Sequence, residues 1–406
     1  MGKRNPPSLR KNNNNHSARR PASLKRQNPY ASRGGRPRRR SRIRNKKLIS
    51  LLMVLLLCLV AVAAFLTISS VTLGNNVDLG SDNVSIAVTG DVMFGRKMPG
   101  VLSSGESPFR YVENVTKAAD VLLVNFENPA TTTSNAVKGD VPLKADPSYL
   151  PLLAGANEIV IASQANNHAL DYGEEGMNDS LKNLKDAGIT AIGAGTNQES
   201  ASKPAVVDVG DRHITILNYM DADNFAEYAS IMPPATANSS GFSAYDEEYA
   251  KEQIQEARDN GSSIIIAYLH YGNEYSRSPN EYQVNISHEL IDNGADIVIG
   301  AHAHVTQGVE MYNGKPIFYN LGNFIFDQSN PATHRAYFLN LDLVEDNCTV
   351  TLYPVNIINY LPQFMSAEDG KALIAELNPQ CDELQVTDEG TGKLTFKLGN
   401  LTEDAN

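Results

Sequence analysis

Residues 159–168 read IVIASQANNH, an apolar run that changes abruptly into amide and imidazole side chains. Four more segments have this form: 84–91 (VSIAVTGD), 121–127 (VLLVNFE), 264–272 (IIIAYLHYG) and 297–304 (IVIGAHAH). Short runs rich in Val, Ile and Leu and bounded by polar residues are typical of buried β-strands. The five segments, together with 214–217 (ITIL), are therefore predicted to be strands.

Segments with helical spacing alternate with these strands. Helices are predicted over residues 173–187, 245–258 and 281–293. Strands that alternate with helices indicate an α/β layered domain. After Ala336 the pattern changes to alternating apolar and polar residues (AYFLNLDLV and CTVTLYPVNII), which predicts the antiparallel part of a second sheet.

The polar residues follow the carboxyl ends of the predicted strands, where functional side chains gather in sheets of this kind. They are Asp91, Glu127, Asn166, Asn167, His168, His270, His302 and His304. A single such Asp or His is more often a turn or structural residue, but the occurrence at five strand ends favours a metal site. Oxygen and imidazole ligands without thiolate suit Mn, Fe(II), Zn or Mg. The set suffices for one ion, or for two ions about 3.5–4 Å apart with a bridging carboxylate.

Other residues with possible chemistry give weaker signals. His334 and Arg335 follow a polar loop and are predicted to reach the site as substrate anchors, since loop residues often carry binding. Cys348 and Cys381 either pair in an oxidising compartment or remain two free thiols. The sequence lacks both G-x-x-x-x-G-K-[ST] and G-x-S-x-G, so nothing in it supports P-loop ATP binding or a nucleophile elbow.

The first 47 residues differ sharply in composition from the rest of the chain. They hold 17 of the 35 Lys and Arg and no Asp or Glu, and residues 1–47 are predicted to be a disordered basic arm. The remainder has 18 basic residues (35 − 17) against 46 acidic ones, a balance of −28. That balance excludes a nucleic-acid-binding main body, which would need a positive surface to neutralise phosphates.

Residues 48–71 (LISLLMVLLLCLVAVAAFLTISSV) contain no charge and are long enough to cross a bilayer as one helix. Because the basic residues lie on its N-terminal side, the arm is predicted to be cytoplasmic and the rest extracellular. Residues 72–83 would be a linker and 84–406 the extracellular domain. A cleaved signal peptide is the alternative, with 61–63 (AVA) as the cleavage site, although the preceding segment is long for one.

Several motifs stand in a specific order along the chain. They are GDVM (90–93), NFE (125–127), ANNH (165–168), DYG (171–173), HYGNEY (270–275), IDNGAD (291–296), GAHAHV (300–305) and LGNFIFD (321–327). Together they resemble the CapA family of bacterial capsule and poly-γ-glutamate synthesis proteins. The resemblance runs from about Val84 to Gln328.

That family is similar to the calcineurin-like metallophosphoesterases, which implies a four-layer α/β/β/α sandwich around a two-metal site. The implied ligands are Asp91 and His304 for the first metal, Glu127 as the bridge, and Asn167, His270 and His302 for the second metal. The phosphoesterase motif Asp-x-His reads Asp91-Val92-Met93 here, so one ligand of the first metal is missing. Glu127 also replaces the usual bridging Asp, and the expectation is one or two divalent ions.

The resemblance also assigns roles toward the substrate. His168 would donate a proton to the leaving group. Asn166, Asp171 and Glu274 are predicted, with His334 and Arg335, to bind the substrate. The first hypothesis is a membrane-anchored protein that hydrolyses or transfers nascent capsule polymer with metal assistance. Its expected partners are a polyanionic polymer or its precursor and other membrane proteins of a synthase or export complex. The alternatives are a non-catalytic assembly subunit and an extracellular phosphodiesterase.

Overall fold

A computed structural model describes residues 83–377 and 381–399 of the chain. Its strands in chain order are β1 (Val84–Val92), β2 (Val121–Phe126), β3 (Val160–Ser163), β4 (Thr190–Ile192), β5 (Ala194–Gly195), β6 (Ala205–Val209), β7 (Arg212–Met220), β8 (Gly241–Phe242), β9 (Ile264–His270), β10 (Ile297–Ala301), β11 (Val309–Tyr312), β12 (Lys315–Phe318), β13 (Asn323–Ile325), β14 (Arg335–Val344), β15 (Asn347–Ile358), β16 (Leu361–Phe364), β17 (Gln385–Val386) and β18 (Gly392–Lys397).

The helices include both short turns and longer amphipathic segments. They are α1 (Pro99–Leu102), α2 (Glu113–Thr116), α3 (Leu150–Ala154), α4 (Gly173–Asp186), α5 (Gln198–Ala201), α6 (Glu247–Asp259), α7 (Glu281–Asp292) and α8 (Ala367–Leu377), with 3₁₀ helices at Pro147–Tyr149, Asp223–Tyr228 and Pro331–His334. Asp246 and Asn280 begin α6 and α7 by accepting hydrogen bonds from the backbone N–H groups of Tyr249 and Gln283. Strands β1, β2, β3, β7, β9 and β10 and helices α4, α6 and α7 confirm the predicted elements.

Two large sheets are built from these strands. The first has the order β17-β18-β15-β14-β1-β2-β3-β4, and β13 and β16 pair with β1 and β15. The second has the order β11-β12-β10-β9-β7-β6. Each sheet contains a block of adjacent parallel strands, β1 to β4 in the first and β7, β9, β10 and β12 in the second.

The strands after Ala336 were predicted to belong to a second sheet, and on this point the prediction is wrong. Strand β14 pairs antiparallel with β1, with Val84 opposite Leu343 and Val88 opposite Leu339. Strand β15 then pairs with β14, so both extend the sheet that begins at the amino end of the domain. The alternating pattern identifies a strand, but the sheet that the strand joins depends on a pairing partner about 250 residues away.

The two sheets pack face to face, and helices cover their outer faces. Ile86 and Leu123 of the first sheet and Ile216, Ile266 and Ile299 of the second belong to one buried cluster. Each fully buried side chain of this kind stabilises the fold by about 1.5–3 kcal/mol. The result is a mixed α/β sandwich, which confirms the predicted α/β layering.

Alternate residues of the same strands point away from that central core. Ala87 and Leu122 pack in a cluster with Leu153 of α3 and Leu184 of α4. Leu217, Ile265 and Ala267 of the second sheet pack with Ile254 of α6 and Leu290 of α7. Because successive strand residues face opposite sides of a sheet, strands buried on both faces need the continuous apolar runs seen in the sequence.

The predicted basic arm, transmembrane helix and nearly all of the predicted linker lie outside the described residues. Within the described part, no helix is long and apolar enough to cross a membrane. Cys348 and Cys381 are free thiols, and both are buried. Burial raises the pKa of the Cys381 thiol above its ordinary value.

Candidate metal centre

The carboxyl ends of four parallel strands, two from each sheet, meet at one point between the sheets. Asp91 stands near the end of β1 opposite Asn125 of β2, and Glu127 follows β2 directly. His270 ends β9, and the residues after β10 form a tight loop that carries two more histidines. The Tyr268 hydroxyl donates to the backbone oxygen of Thr89, 2.7 Å away, and joins the sheets directly beneath this point.

Two overlapping groups of buried donor atoms lie here. Asp91, Glu127 and His304 form one group, and Glu127, His270 and His302 form the other. Within each group the ligand-type atoms lie within 4.8 Å of one another. Glu127 Oε1 is 3.9 Å from both His270 Nε2 and His304 Nε2, so this carboxylate stands between the two groups.

Unsatisfied polar atoms show that the residues fit a divalent cation. Both carboxylate oxygens of Glu127 and Nδ1 of His302 are buried without a hydrogen-bond partner among the described residues. Burial, followed by the neighbouring charge of Asp91, raises the pKa of Glu127 well above its ordinary value. A cation between the groups would remove the cost of burying this carboxylate alone.

Burial favours the neutral form of two of the histidines. Burial, followed by the neighbouring imidazoles, lowers the pKa of both His270 and His302 well below its ordinary value. Neutral imidazole is the form that coordinates a metal ion. Asn167 contributes Oδ1, which lies 3.0 Å from His270 Nε2 and therefore at the edge of the second donor group.

Hydrogen bonds orient His304 and Asp91. His304 Nδ1 lies 2.9 Å from Asn323 Oδ1 and 3.1 Å from Asp91 Oδ2, two acceptors that hold its proton on that side of the ring. Its Nε2 is thereby left to face Glu127. Asn125 donates from Nδ2 to Asp91 Oδ1 at 2.8 Å and lies 3.3 Å from His270 Nδ1, so it contacts both donor groups.

The loop after β10 holds its histidines in strained backbone conformations. His302 has a φ of 99° and His304 a φ of 58°, in the left-handed region that favours glycine. Strain of this kind costs about 1–3 kcal/mol per residue and persists where the surrounding structure fixes the chain. Here the backbone N–H of His302 donates to Asp91 Oδ1 at 3.4 Å, and the N–H of Tyr275 donates to Ala303 O at 2.8 Å.

His168 lies at the cavity wall with a buried carboxylate behind it. Its Nδ1 is 2.6 Å from Asp171 Oδ2, which leaves Nε2 as the ring nitrogen available to the cavity. Burial lowers the pKa of His168, and Asp171 partly offsets that shift. Lys138 donates to the backbone oxygen of Asn167 at 3.0 Å and lies 3.4 Å from His168 Nδ1.

A cavity of about 530 Å³ opens onto this centre. The residues of the donor groups and their neighbours that face it are Asn167, His168, His302 and His304. Arg96, Lys138, Asp140 and Glu274 add charged side chains of both signs. Glu274, one of the predicted substrate-binding residues, thus lines the cavity.

The other predicted substrate-binding residues lie elsewhere. Asp171 and Asn166 are fully buried, and both contact His168. Asp171 holds the His168 ring, and Asn166 Oδ1 accepts a hydrogen bond from the backbone N–H of His168 at 3.2 Å. Arg335 forms a two-pronged ion pair with Glu376 at 3.0 Å, and His334 Nε2 lies 2.8 Å from Gln328 O. Neither His334 nor Arg335 lines the cavity, because these local partners already hold the two side chains.

Some residues of the site gave little sequence signal. Lys138 and Arg96 belong to segments without periodicity, and Phe225 lies in a 3₁₀ helix far from any of the motifs. The Phe225 ring packs 4.8 Å from the His302 ring, centroid to centroid. Asn125 had a usable signal, since it directly precedes Phe126-Glu127 at a predicted strand end.

Met93 occupies the position where the phosphoesterase motif has a histidine, and it does not reach the donor groups. Its side chain is fully buried in the core between the first sheet and its helices, and its sulfur accepts from the Gly95 N–H at 2.9 Å. The first donor group therefore consists of Asp91, Glu127 and His304, with Asn323 beside His304.

Comparison with known proteins places the chain among capsule synthesis proteins. It is 32% identical over 327 residues to the PGA biosynthesis protein CapA of Bacillus subtilis (strain 168), covering 78% of this chain and 83% of that protein. It is 29% identical over 332 residues to the capsule biosynthesis protein CapA of Bacillus anthracis, covering 79% of each.

Among solved structures, Chaetomium thermophilum Vps29 is similar over 80% of this chain and 100% of that one, with 10% identity and a TM-score of 0.32. Residues 85–328, more than half of the chain, match the family described as bacterial capsule synthesis protein PGA_cap. With this match and a relative at 32% identity, the chain belongs to the bacterial capsule synthesis protein family PGA_cap.

Proposed function

We propose that this chain is a membrane-anchored, metal-dependent component of capsule or poly-γ-glutamate synthesis that cuts or transfers nascent polymer at the cell surface. Residues 48–71 would anchor it, with the basic arm in the cytoplasm and the sandwich outside. The names of the Bacillus relatives support the polymer class. The polymer and other membrane proteins of a synthase complex would be its partners.

The observation that carries the proposal is the position of Glu127. This one carboxylate belongs to both donor groups, and its two oxygens are buried without partners among the described residues. A purely structural carboxylate in such a place would have acquired hydrogen-bond donors, because an unpaired buried charge is costly. Asp91 and His304 would then hold one ion, His270, His302 and Asn167 would hold the other, and Glu127 would contribute to both groups.

The residues around the centre have separable tasks in a hydrolytic or transfer reaction. A bound divalent ion would supply Lewis-acid charge to an oxygen of the substrate. His168 would take up a proton at Nε2 from the attacking water or acceptor group and pass it to the departing atom, while Asp171 holds the other ring proton on Nδ1 and fixes the ring. Phe225 packs against the rings of His270 and His302 and keeps water from that side of the imidazoles.

A second candidate is a non-catalytic assembly or export subunit that binds polymer through a single ion. Met93 favours it, because this side chain is buried in the apolar core and leaves the first donor group with three ligands. Under this alternative the second group alone would hold metal, and His168 would have no chemical task.

Metal analysis of the full-length protein, purified without chelator, tests the proposal first. About two equivalents of a transition metal support the two-ion centre, and one equivalent supports the single-ion alternative. No metal after reconstitution would overturn both. The second step compares wild type and His168→Ala for shortening of poly-γ-glutamate on gels. We expect the His168→Ala variant to retain the metal and lose turnover. The control is His288→Ala, because the His288 ring stacks on Tyr312 outside the cavity, and this variant should behave as wild type.

A further inference from the structure

A second cavity of about 330 Å³ adjoins the first one. The two share three wall residues, Arg96, Tyr275 and Gln328. The remaining wall of the second cavity comes from Lys97, Asp327, Ser329 and Asn330. An extended ligand that occupies the first cavity would therefore reach the second by passing Arg96 and Tyr275.

The charged groups of the second cavity leave an excess of positive charge. Its charged wall residues are Arg96, Lys97 and Asp327, which sum to one positive charge (+2 − 1). Asp327 is only 4% exposed, and its oxygens accept from the Arg96 guanidinium and, at 3.1 Å, from the backbone N–H of Lys97. The Lys97 ammonium group, by contrast, lies over the Tyr360 ring at 5.8 Å. A ligand anion would meet Lys97 and the outer edge of Arg96.

The residues between the two cavities are held rigidly. Arg96 has a φ of 50° and Tyr275 a φ of 63°, both in the left-handed region that non-glycine residues rarely adopt. The Arg96 guanidinium packs over the Phe326 ring at 5.3 Å, and Gln328 Nε2 donates to the Tyr275 hydroxyl at 3.3 Å. Groups held in place by such contacts lose little entropy when a ligand binds.

We propose that the second cavity is a subsite for the carboxylate of a neighbouring repeat unit in a linear, carboxylate-bearing polymer whose reacting unit occupies the first cavity. The inference rests on the proposed function and deepens it by making the site recognise at least two adjacent units. Arg96 lines both cavities and would contact both units, whereas Lys97 lines only the second cavity and would contact only the second unit. Chain length, and not a single unit, then determines affinity.

The test is the affinity of the full-length protein for glutamate and its γ-linked oligomers of two to eight units, measured by calorimetry. In the wild type we expect affinity to rise between the single unit and the dimer, because only the dimer reaches the second cavity. Lys97→Glu should weaken binding of the dimer and of longer oligomers about tenfold and that of the single unit by less than about twofold, since it reverses one charge at the second unit. Lys97→Gln should give an intermediate loss, about threefold. Lys251→Glu, an exposed change on α6 that lines neither cavity, is the matched control.

Each outcome bears on a different claim. Affinity independent of length, or equal effects of Lys97→Glu and Lys251→Glu, would overturn the subsite and leave the proposed function standing. Tighter binding of a polyphosphate of equal length would overturn the assignment to carboxylate. If the folded, metal-loaded wild type binds none of the oligomers, the proposed function itself fails.

Discussion

Glu127 contributes to both donor groups. Replacing it by a neutral residue therefore has one effect on folding stability without metal and a different effect on the stabilisation by metal. We expect the variant Glu127→Gln to be at least as stable as wild type without metal, because the unpaired buried carboxylate is gone. A divalent ion at about 100 times its Kd should stabilise wild type by ~2.7 kcal/mol and the variant far less. Thermal melting with and without chelator measures both effects.

The matched control for this prediction is Glu252→Gln, an exposed change on α6. It should keep the full stabilisation by metal. If Glu127→Gln gained as much from metal as wild type does, Glu127 would not be a ligand.

Asp171 acts through His168. Its replacement by Asn should change the tautomer of the His168 ring and leave the metal content unchanged. Asn cannot hold the Nδ1 proton as the carboxylate does across 2.6 Å, so His168 should lose its fixed tautomer. We expect turnover to fall by about 10²-fold or more with unchanged metal content. Nitrogen chemical shifts of the His168 ring report the tautomer independently of activity.

Asp179→Asn provides the comparison, since Asp179 accepts a hydrogen bond from Thr131 at 2.8 Å and does not line the cavity. A normal tautomer and normal turnover in Asp171→Asn would remove the positioning role. If Asp171→Asn also lowers the melting temperature strongly, the tautomer measurement still tests the positioning role, because it is made on the folded fraction.

At the scale of elements, the end of β1 depends on a close backbone approach at Gly90. A Cβ atom there would lie 1.9 Å from the carbonyl oxygen of Gly322, in the loop that leads into β13. We expect Gly90→Ala to destabilise the fold by about 1–3 kcal/mol or more and to weaken metal binding, because Asp91 must shift with the strand. Urea unfolding and metal titration measure the two effects.

Gly100→Ala is the control for this substitution. A Cβ atom at Gly100, within α1, meets nothing within 4 Å, so the change should be neutral or slightly stabilising. Equal unfolding midpoints for the two variants would show that the close approach of the two backbones at Gly90 does not limit which side chain the fold tolerates there.

At the scale of the whole molecule, a buried ionic cluster ties the two sheets together along one edge. Asp296 precedes β10 and is fully buried, where it pairs with Arg258 of α6 and, at 2.7 Å, with Lys315 of β12. Lys315 also donates to the backbone oxygens of Lys397 and Gly399 at 2.7 and 2.9 Å, at the end of β18 in the first sheet.

Asp296→Ala leaves two cations near the core without their shared partner. We expect a loss of about 3–5 kcal/mol in the free energy of unfolding, measured in urea. Lys117→Ala, which removes an exposed ion pair with Glu113 on the surface, should change the same quantity by less than about 1 kcal/mol. A similar effect of the two variants would mean that the cluster contributes no more than a surface ion pair.

Much of the architecture and of the site was predictable from local patterns. Continuous apolar runs identify doubly buried strands, and the polar residues after them identify the strand ends where donors meet. Asp91, Glu127, His270, His302 and His304 come together because the carboxyl ends of parallel strands share one edge. The ordered motifs likewise indicated the family that the comparison shows.

The sequence by itself thus determined the strands that carry the site, three of the longer helices, the family and the residues of the two donor groups, because each depends on periodicity or on a short motif. Only the tertiary structure decided that β14 and β15 extend the first sheet, that Asp171 lies behind His168, and that Arg335 pairs with Glu376 outside the cavity. It alone revealed Lys138 at the cavity and the second cavity beside Arg96. The physical reason is that these features are contacts between segments far apart in the chain, whose loops carry no periodic signal and whose partners are selected only when the sheets pack.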